Sequence, residues 1–182
     1  MRGSSTSAFT LIEVLAAIAI IGTLLCLLLP AINAIRRSAD RAHAHSDVLA
    51  LVAGIKNYRD TYSKWPNQSG TNETTYEGLR QTNILNALTN VSDRIVGGRG
   101  NRQRRKEGFI KVPPSSLTNN CFMDPWRRPY VIAMDENGDD FVAMNATSFV
   151  PNVTCTVKVR VAVFSWGRDP SNANDRVYSW TF

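Results

Sequence analysis

An uninterrupted apolar run near the N-terminus limits what this chain can form. No charged side chain occurs from Val14 to Ile35. As an α-helix this run would be about 33 Å long, which is enough to cross a bilayer core of about 30 Å. It is too long for a conventional signal peptide, and no small-residue cleavage site follows it. We therefore predict one membrane-spanning helix, with a soluble fold formed by the rest of the 182 residues.

An acidic residue stands at the head of this run. A short polar leader, residues 1–8, precedes the helix, and Glu13 lies just inside it. An ionised carboxylate at that place is costly unless a cation meets it, and the neighbouring sequence offers none. Two interpretations are open. The carboxylate stays hydrated among lipid headgroups, or it pairs with a cation of another molecule.

The order Phe9-Thr10-Leu11-Ile12-Glu13-Val14-Leu15 resembles the N-terminal signature of type IV prepilins and of type II secretion pseudopilins. This resemblance implies that a prepilin peptidase cuts between Ala8 and Phe9 and methylates the new amino group of Phe9. Glycine usually precedes the cut, so Ala8 is a departure from the family. The resemblance also implies that Glu13 pairs with the N-terminal amine of a neighbouring subunit in a helical homopolymer, and that Pro30 bends the helix.

The charges around the span and the resemblance predict opposite orientations. Arg36, Arg37 and Arg41 follow the span, whereas the leader carries Arg2, so the positive-inside rule would place the C-terminal part in the cytoplasm. The resemblance implies a cytoplasmic leader and a periplasmic C-terminal domain. We follow the resemblance and predict a single-pass protein of the inner membrane.

The helical pattern continues beyond the span. Apolar residues recur every three or four positions and form one stripe, namely Val48, Leu51, Val52, Ile55, Tyr58 and Tyr62. The pair Trp65-Pro66 ends this helix, because a residue before proline avoids the helical conformation. The predicted organisation is a leader (1–8), a transmembrane and polymerisation helix (9–35) and a soluble pilin-like domain (36–182) that begins with an amphipathic helix (36–64).

The rest of the soluble domain is predicted in two parts. Residues 65–108 hold a variable loop and a short helix from Tyr76 to Leu88, whose inward side chains are Leu79, Ile84, Leu85 and Leu88. Residues 109–182 form an antiparallel sheet of three or four strands. The predicted fold class is α+β and type IV pilin-like, with the long helix packed on a small C-terminal antiparallel β-sheet.

Two details of that sheet follow from turn signals and alternation. The runs Tyr130–Met134 and Asp140–Met144 flank Asn137-Gly138, which is a strong hairpin signal, so we predict that they pair. The run Cys155–Trp166 alternates apolar and basic residues, and we predict one strand from it.

Several motifs of the soluble domain resemble the major pseudopilins of type II secretion, in a divergent form. They are Trp65-Pro66, Asp124-Pro125-Trp126, and Ser165-Trp166-Gly167-Arg168-Asp169 with Ser179-Trp180. The resemblance implies a structural subunit of a pseudopilus that polymerises to help drive protein export. Its implied partners are further copies of itself, the prepilin peptidase, an inner-membrane assembly platform and minor pseudopilins. No nucleophile elbow, phosphate-binding glycine loop or HExxH motif occurs, so no enzyme is predicted.

The resemblance also implies a metal site, because major pseudopilins hold calcium in a C-terminal loop. The oxygen ligands that calcium prefers are offered here by Asp169, Asn172, Asn174 and Asp175. A polar turn without metal is the alternative, since Pro170 and a longer gap before Ser179 depart from the family.

The cysteines and the basic residues leave two questions open. Cys121 and Cys155 form a disulfide if the domain faces an oxidising compartment, and are otherwise buried free thiols. Much positive charge lies from Arg94 to Lys106, in a chain of net charge +6. This stretch is a solvated loop or, in an alternative function, the DNA- or surface-binding loop of a minor type IV pilin. Nucleic acid is not the expected partner, because no aromatic side chains are interleaved with the arginines.

Overall fold

The computed structural model describes residues 10–66, 75–89, 108–146 and 153–180. The chain divides into two compact units, Met1–Ala39 and Asp40–Phe182. The predicted cleavage residues Ala8 and Phe9 lie outside the described residues, as does the basic stretch from Arg94 to Lys106.

The first unit contains the beginning of helix α1, which runs from Leu11 to Tyr62. From Leu11 to Ala39 every side chain that the structure describes is exposed. Within the described residues, α1 is the one helix long and apolar enough to cross a membrane by its length and composition. Such an exposed apolar surface is typical of a segment that lipid or other chains cover. Pro30 lies within α1, and its predicted bend stays a prediction.

In the second unit, the later turns of α1 bury the predicted stripe. Val48, Leu51 and Ile55 are inaccessible to solvent, and Val52 and Tyr58 pack at the edge of the same core. The helix ends before Trp65-Pro66, as predicted. This part of α1 is therefore an ordinary core helix, with only one face buried.

The described residues after α1 contain eight short strands, named in chain order. They are β1 (Thr75–Tyr76), β2 (Leu117–Thr118), β3 (Cys121–Phe122), β4 (Val131–Met134), β5 (Val142–Ala146), β6 (Val153–Val157), β7 (Val161–Ser165) and β8 (Val177–Tyr178). The main sheet is antiparallel and has the strand order β1-β4-β7-β8. Two smaller antiparallel sheets pair β2 with β3 and β5 with β6. The α+β class is confirmed, and the main sheet has four antiparallel strands, of which β1 lies before the range 109–182 predicted for the sheet.

Both faces of the main sheet are covered. Ile132 and Val163 belong to the core that includes α1, whereas Ala133 and Phe164 belong to a second core that includes residues of the β5–β6 sheet. Because side chains alternate between the faces of a strand, covering both faces buries every position of β4 and β7. This second cover was not predicted, since a continuous apolar run does not reveal what lies on each face.

The predicted hairpin of Tyr130–Met134 with Asp140–Met144 is wrong. β4 pairs with β1 and β7, and β5 pairs with β6, so the turn between them carries the chain from one sheet to another. Asp135 shapes this turn by accepting hydrogen bonds from Gly138 N at 2.6 Å and Asp140 N at 3.2 Å. The single strand predicted over Cys155–Trp166 is also wrong. The chain bends after β6, leaves the β5–β6 sheet and enters the main sheet as β7.

The predicted second helix begins later than expected. Tyr76 lies in β1, a 3₁₀ helix covers Gly78–Gln81, and helix α2 spans Thr82–Thr89. Gly78 has a φ of +57°, which is outside the range of an α-helix and separates the strand from the helix. Of the predicted inward side chains, three are buried in α2, but Leu79 is 73% exposed.

Candidate assembly site and closing loop

The head of α1 is a capping box made by Thr10 and Glu13. The backbone N and Oγ1 of Thr10 each donate a hydrogen bond to Glu13 Oε2 at 2.8 Å, and Glu13 N donates to Thr10 Oγ1 at 3.4 Å. This contact was not predicted, although the spacing Thr-x-x-Glu before an apolar run is its sequence signal. Among the described residues no cation pairs with Glu13, so only uncharged donors meet its carboxylate.

The Asp124-Pro125-Trp126 motif forms a turn around the buried side chain of Asp124. One carboxylate oxygen accepts Trp126 N at 3.0 Å and Arg128 N at 2.8 Å, and the other accepts Ser165 Oγ at 2.6 Å. Burial raises the pKa of Asp124, while the Ser165 hydroxyl and the two amide donors oppose that rise. Because Ser165 ends β7, the turn fastens the segment before β4 to the start of the closing loop.

The motif Trp166-Gly167 has a packing role and a conformational role. Trp166 is fully buried, and its Nε1 donates to Glu77 Oε1 at 2.6 Å. Gly167 has a φ of +70°, and a Cβ there would overlap the carbonyl oxygen of Asp175. Glycine is thus required where the two ends of the loop meet. The closing loop, residues 167–176, therefore has a defined conformation.

The predicted calcium ligands lie together in the closing loop, but their arrangement does not fit a calcium cage. Asp169 Oδ1 accepts Ser171 N at 3.0 Å, and Asn172 Oδ1 accepts Asn174 N at 3.0 Å. Four backbone carbonyls of the loop accept hydrogen bonds from arginine side chains. Calcium takes six to eight oxygens at about 2.3–2.6 Å, and here two of the four predicted side chains and four loop carbonyls already accept hydrogen bonds. No group of three or more His, Cys, Asp or Glu side chains suited to a metal occurs among the described residues.

The predicted disulfide is not formed. Cys121 and Cys155 are free thiols in two different small sheets, Cys121 opposite Thr118 and Cys155 opposite Met144. Cys121 is buried, which raises its thiol pKa. The structure contains free thiols, but the predicted burial holds only for Cys121, since Cys155 is half-buried.

Two polar contacts, one half-buried and one buried, were not anticipated from the sequence. Tyr130 OH donates to Asp47 Oδ2 at 2.8 Å, and burial together with this carboxylate raises the pKa of Tyr130. Gln81, fully buried, donates to the carbonyl of Tyr130 and accepts Phe122 N at 3.3 Å. Both contacts join segments distant in the chain, so no local pattern could have revealed them.

Comparisons with known proteins agree on one family. Type II secretion system core protein G of Aeromonas hydrophila is 31% identical over 130 residues, covering 71% of this chain and 74% of that protein. The protein of the same name from Escherichia coli K12 is 29% identical over 68% of this chain and 69% of that protein. The one from Klebsiella michiganensis is 34% identical over 44% of this chain and 51% of that protein.

No protein-family model matches the chain. A crystal structure of the major pseudopilin from the type 2 secretion system of enterohaemorrhagic Escherichia coli aligns with 85% of this chain and 97% of its own, at 22% identity and a TM-score of 0.37. The family is therefore identified from the sequence relatives. Motifs named in the sequence analysis lie in the capping box, in the turn around Asp124 and in the closing loop. The chain belongs to the family of type II secretion system core protein G, the major pseudopilins, and is a structural subunit of a pseudopilus.

Proposed function

We propose that this chain is cut before Phe9, methylated there, and polymerised through the first unit of α1 into the pseudopilus. The observation that carries the proposal is the exposed apolar surface of Leu11–Ala39 in a member of this family. Apolar side chains without partners in the monomer become covered by lipid before assembly and by neighbouring helices after it. The first unit thus has two alternative environments, membrane and filament.

In this proposal, Glu13 directs the transfer of the helix from the membrane into the filament. In the monomer its carboxylate accepts hydrogen bonds from the backbone N and the hydroxyl of Thr10, and both of these donors are neutral. The free amine of a mature Phe9 on a neighbouring copy is a charged donor, and a charge pair in an apolar environment is stronger than a hydrogen bond to a neutral group. Each incoming subunit is thereby placed at one stagger relative to the last.

The proposed orientation has the leader in the cytoplasm and residues 36–182 in the periplasm, with one span in the inner membrane. The relatives' family supports it against the charges of Arg36 and Arg37. The prepilin peptidase, an assembly platform and minor pseudopilins are the partners that this route requires. The chain acts mechanically, by adding length to a filament, and carries out no catalysis.

The comparisons do not favour the alternative of a minor type IV pilin that binds DNA or a surface. The relatives above carry the name of the core pseudopilin. The basic stretch from Arg94 to Lys106 lies outside the described residues, and we assign no binding role to it.

Mass spectrometry of the N-terminal peptide tests the processing step. We expect the membrane-bound chain to begin with a methylated Phe9 when it is produced together with a prepilin peptidase. A host without that peptidase is the control, and there the leader should remain attached. A chain that keeps Met1–Ala8 in the presence of the active peptidase would contradict the proposal.

A further inference from the structure

The closing loop contains a second pattern that the family resemblance did not suggest. Arg128, next to the buried Asp124 turn, donates through Nη1 to two successive carbonyl oxygens of the loop, those of Gly167 and Arg168, the latter at 2.8 Å. Its backbone N is fixed by Asp124 Oδ1 at 2.8 Å. The side chain therefore extends from a rigid turn to the beginning of the loop.

Two more arginines hold the middle and the end of the loop. Arg41 of α1 donates through Nη2 to the carbonyl of Asn174 at 3.0 Å. Arg176 donates through Nη2 to the carbonyl of Pro170 at 3.0 Å, and its guanidinium lies 5.4 Å from the centre of the Trp166 ring. The three guanidinium groups come from α1, from the Asp124 turn and from the loop itself, so the loop is cross-linked to two other parts of the second unit.

We infer that Arg41, Arg128 and Arg176 take the place of a bound cation in this chain, and that the closing loop keeps its conformation without calcium. A loop carbonyl is stabilised by any positive group that meets its lone pairs, and here a guanidinium fills that position. A divalent ion placed among these carbonyls would displace the arginine donors and be repelled by three positive charges. Two of the four possible side-chain ligands, Asp169 and Asn172, also bond to the loop's own backbone.

Thermal unfolding of the full-length chain in detergent tests this inference. We expect the Tm of the natural protein to change by less than about 1 °C between 1 mM EDTA and 5 mM calcium chloride, since calcium stabilises only if it binds the folded state. Arg128→Gln should lower the Tm by about 4 to 10 °C, and Arg41→Gln by about 2 to 6 °C, in both solutions alike.

Arg168→Gln is the matched control, because Arg168 is exposed in the same loop and its guanidinium makes none of the bonds that hold the loop carbonyls. It makes the same charge change and should leave the Tm within about 1 °C of the natural value. An Arg128→Gln variant with the stability of the Arg168→Gln control would overturn the inference.

If Arg128→Gln does not fold, amide hydrogen exchange in the natural chain and in Arg41→Gln still tests the inference. In the natural chain the amides of Ser171, Asn174 and Asp175, which donate within the loop, should exchange at the same rate with EDTA and with calcium. Arg41→Gln should speed their exchange in both solutions. Slower exchange or a Tm rise of several degrees on adding calcium to the natural chain would show a calcium-dependent loop and refute the inference. Failure of the processing or assembly experiments would leave these results unaffected.

Discussion

Replacing Glu13 by leucine is expected to abolish pseudopilus formation while leaving the membrane insertion and the folding of the second unit intact. Leucine suits an apolar helix, so the span gains hydrophobicity. The assembled filament, however, loses the partner of the Phe9 amine, and each new subunit would bury an unpaired positive charge. Filament yield in the sheared cell fraction should fall by at least about tenfold relative to the natural chain at equal membrane levels.

Two further variants separate the charge of Glu13 from its hydrogen bonds. Glu13→Gln keeps an oxygen that can accept from Thr10 but removes the charge, so it should assemble as poorly as the leucine variant. Thr10→Val removes the hydroxyl of the capping box and keeps the charge, so it should assemble nearly normally. If Glu13→Gln built filaments at the natural level, Glu13 would be a hydrated carboxylate at the headgroups and the pairing would be wrong.

Replacing Asp124 by alanine is expected to destabilise the second unit by about 3 to 5 kcal/mol, which is a large fraction of an ordinary folding free energy. The change leaves three donors without the carboxylate that accepts them: the buried Ser165 Oγ and the half-buried Trp126 N and Arg128 N. It also releases the backbone from which Arg128 reaches the closing loop. Thermal unfolding followed by near-ultraviolet circular dichroism measures the loss through the buried Trp166.

Asp124→Asn and Ser165→Ala are the controls for that loss. Asp124→Asn keeps one acceptor oxygen in the same volume and should recover part of the stability. Ser165→Ala removes one donor to Asp124 and the acceptor of Gly167 N, so its cost should lie between zero and that of Asp124→Ala. An Asp124→Ala variant within about 1 kcal/mol of the natural chain would mean that the turn is not what joins β4 to the closing loop.

The helix and the main sheet were predictable because their signals are local and repeated. The uncharged run, the stripe through Leu51 and the pair Trp65-Pro66 each depend on a few neighbouring residues. They give the course of α1 without knowledge of what it packs against. The capping box of Thr10 and Glu13 has an equally local signal, the Thr-x-x-Glu spacing before an apolar run, so it too is predictable from the sequence.

The pairing of the strands was not predictable because it depends on which elements pack on each face of the main sheet. Asn137-Gly138 indicates a reversal of the chain, but both a hairpin and a change of sheet begin with one. β4 remains in the main sheet because β1 and β7 occupy its two edges, which leaves β5 to pair with β6. The cross-strand partners of Cys121 and Cys155 followed from that arrangement, which places the two thiols in different small sheets.

In the closing loop we infer that a family motif is present while its chemistry differs. The oxygen-rich residues Asp169, Asn172 and Asp175 indicate a cation, and of the three arginines inferred to replace it only Arg176 lies beside them in the sequence. Arg41 and Arg128 are distant in the chain, so the fold alone brings their guanidinium groups to the loop. Long-range contacts of this kind are visible only once the packing is known.

Electron microscopy of the sheared surface fraction, with antibodies against the second unit, tests the central claim most directly. Cells that produce this chain together with a type II assembly platform should shed helical filaments labelled along their whole length. The account would be contradicted if the chain were processed and inserted in the membrane but found only as dispersed single copies.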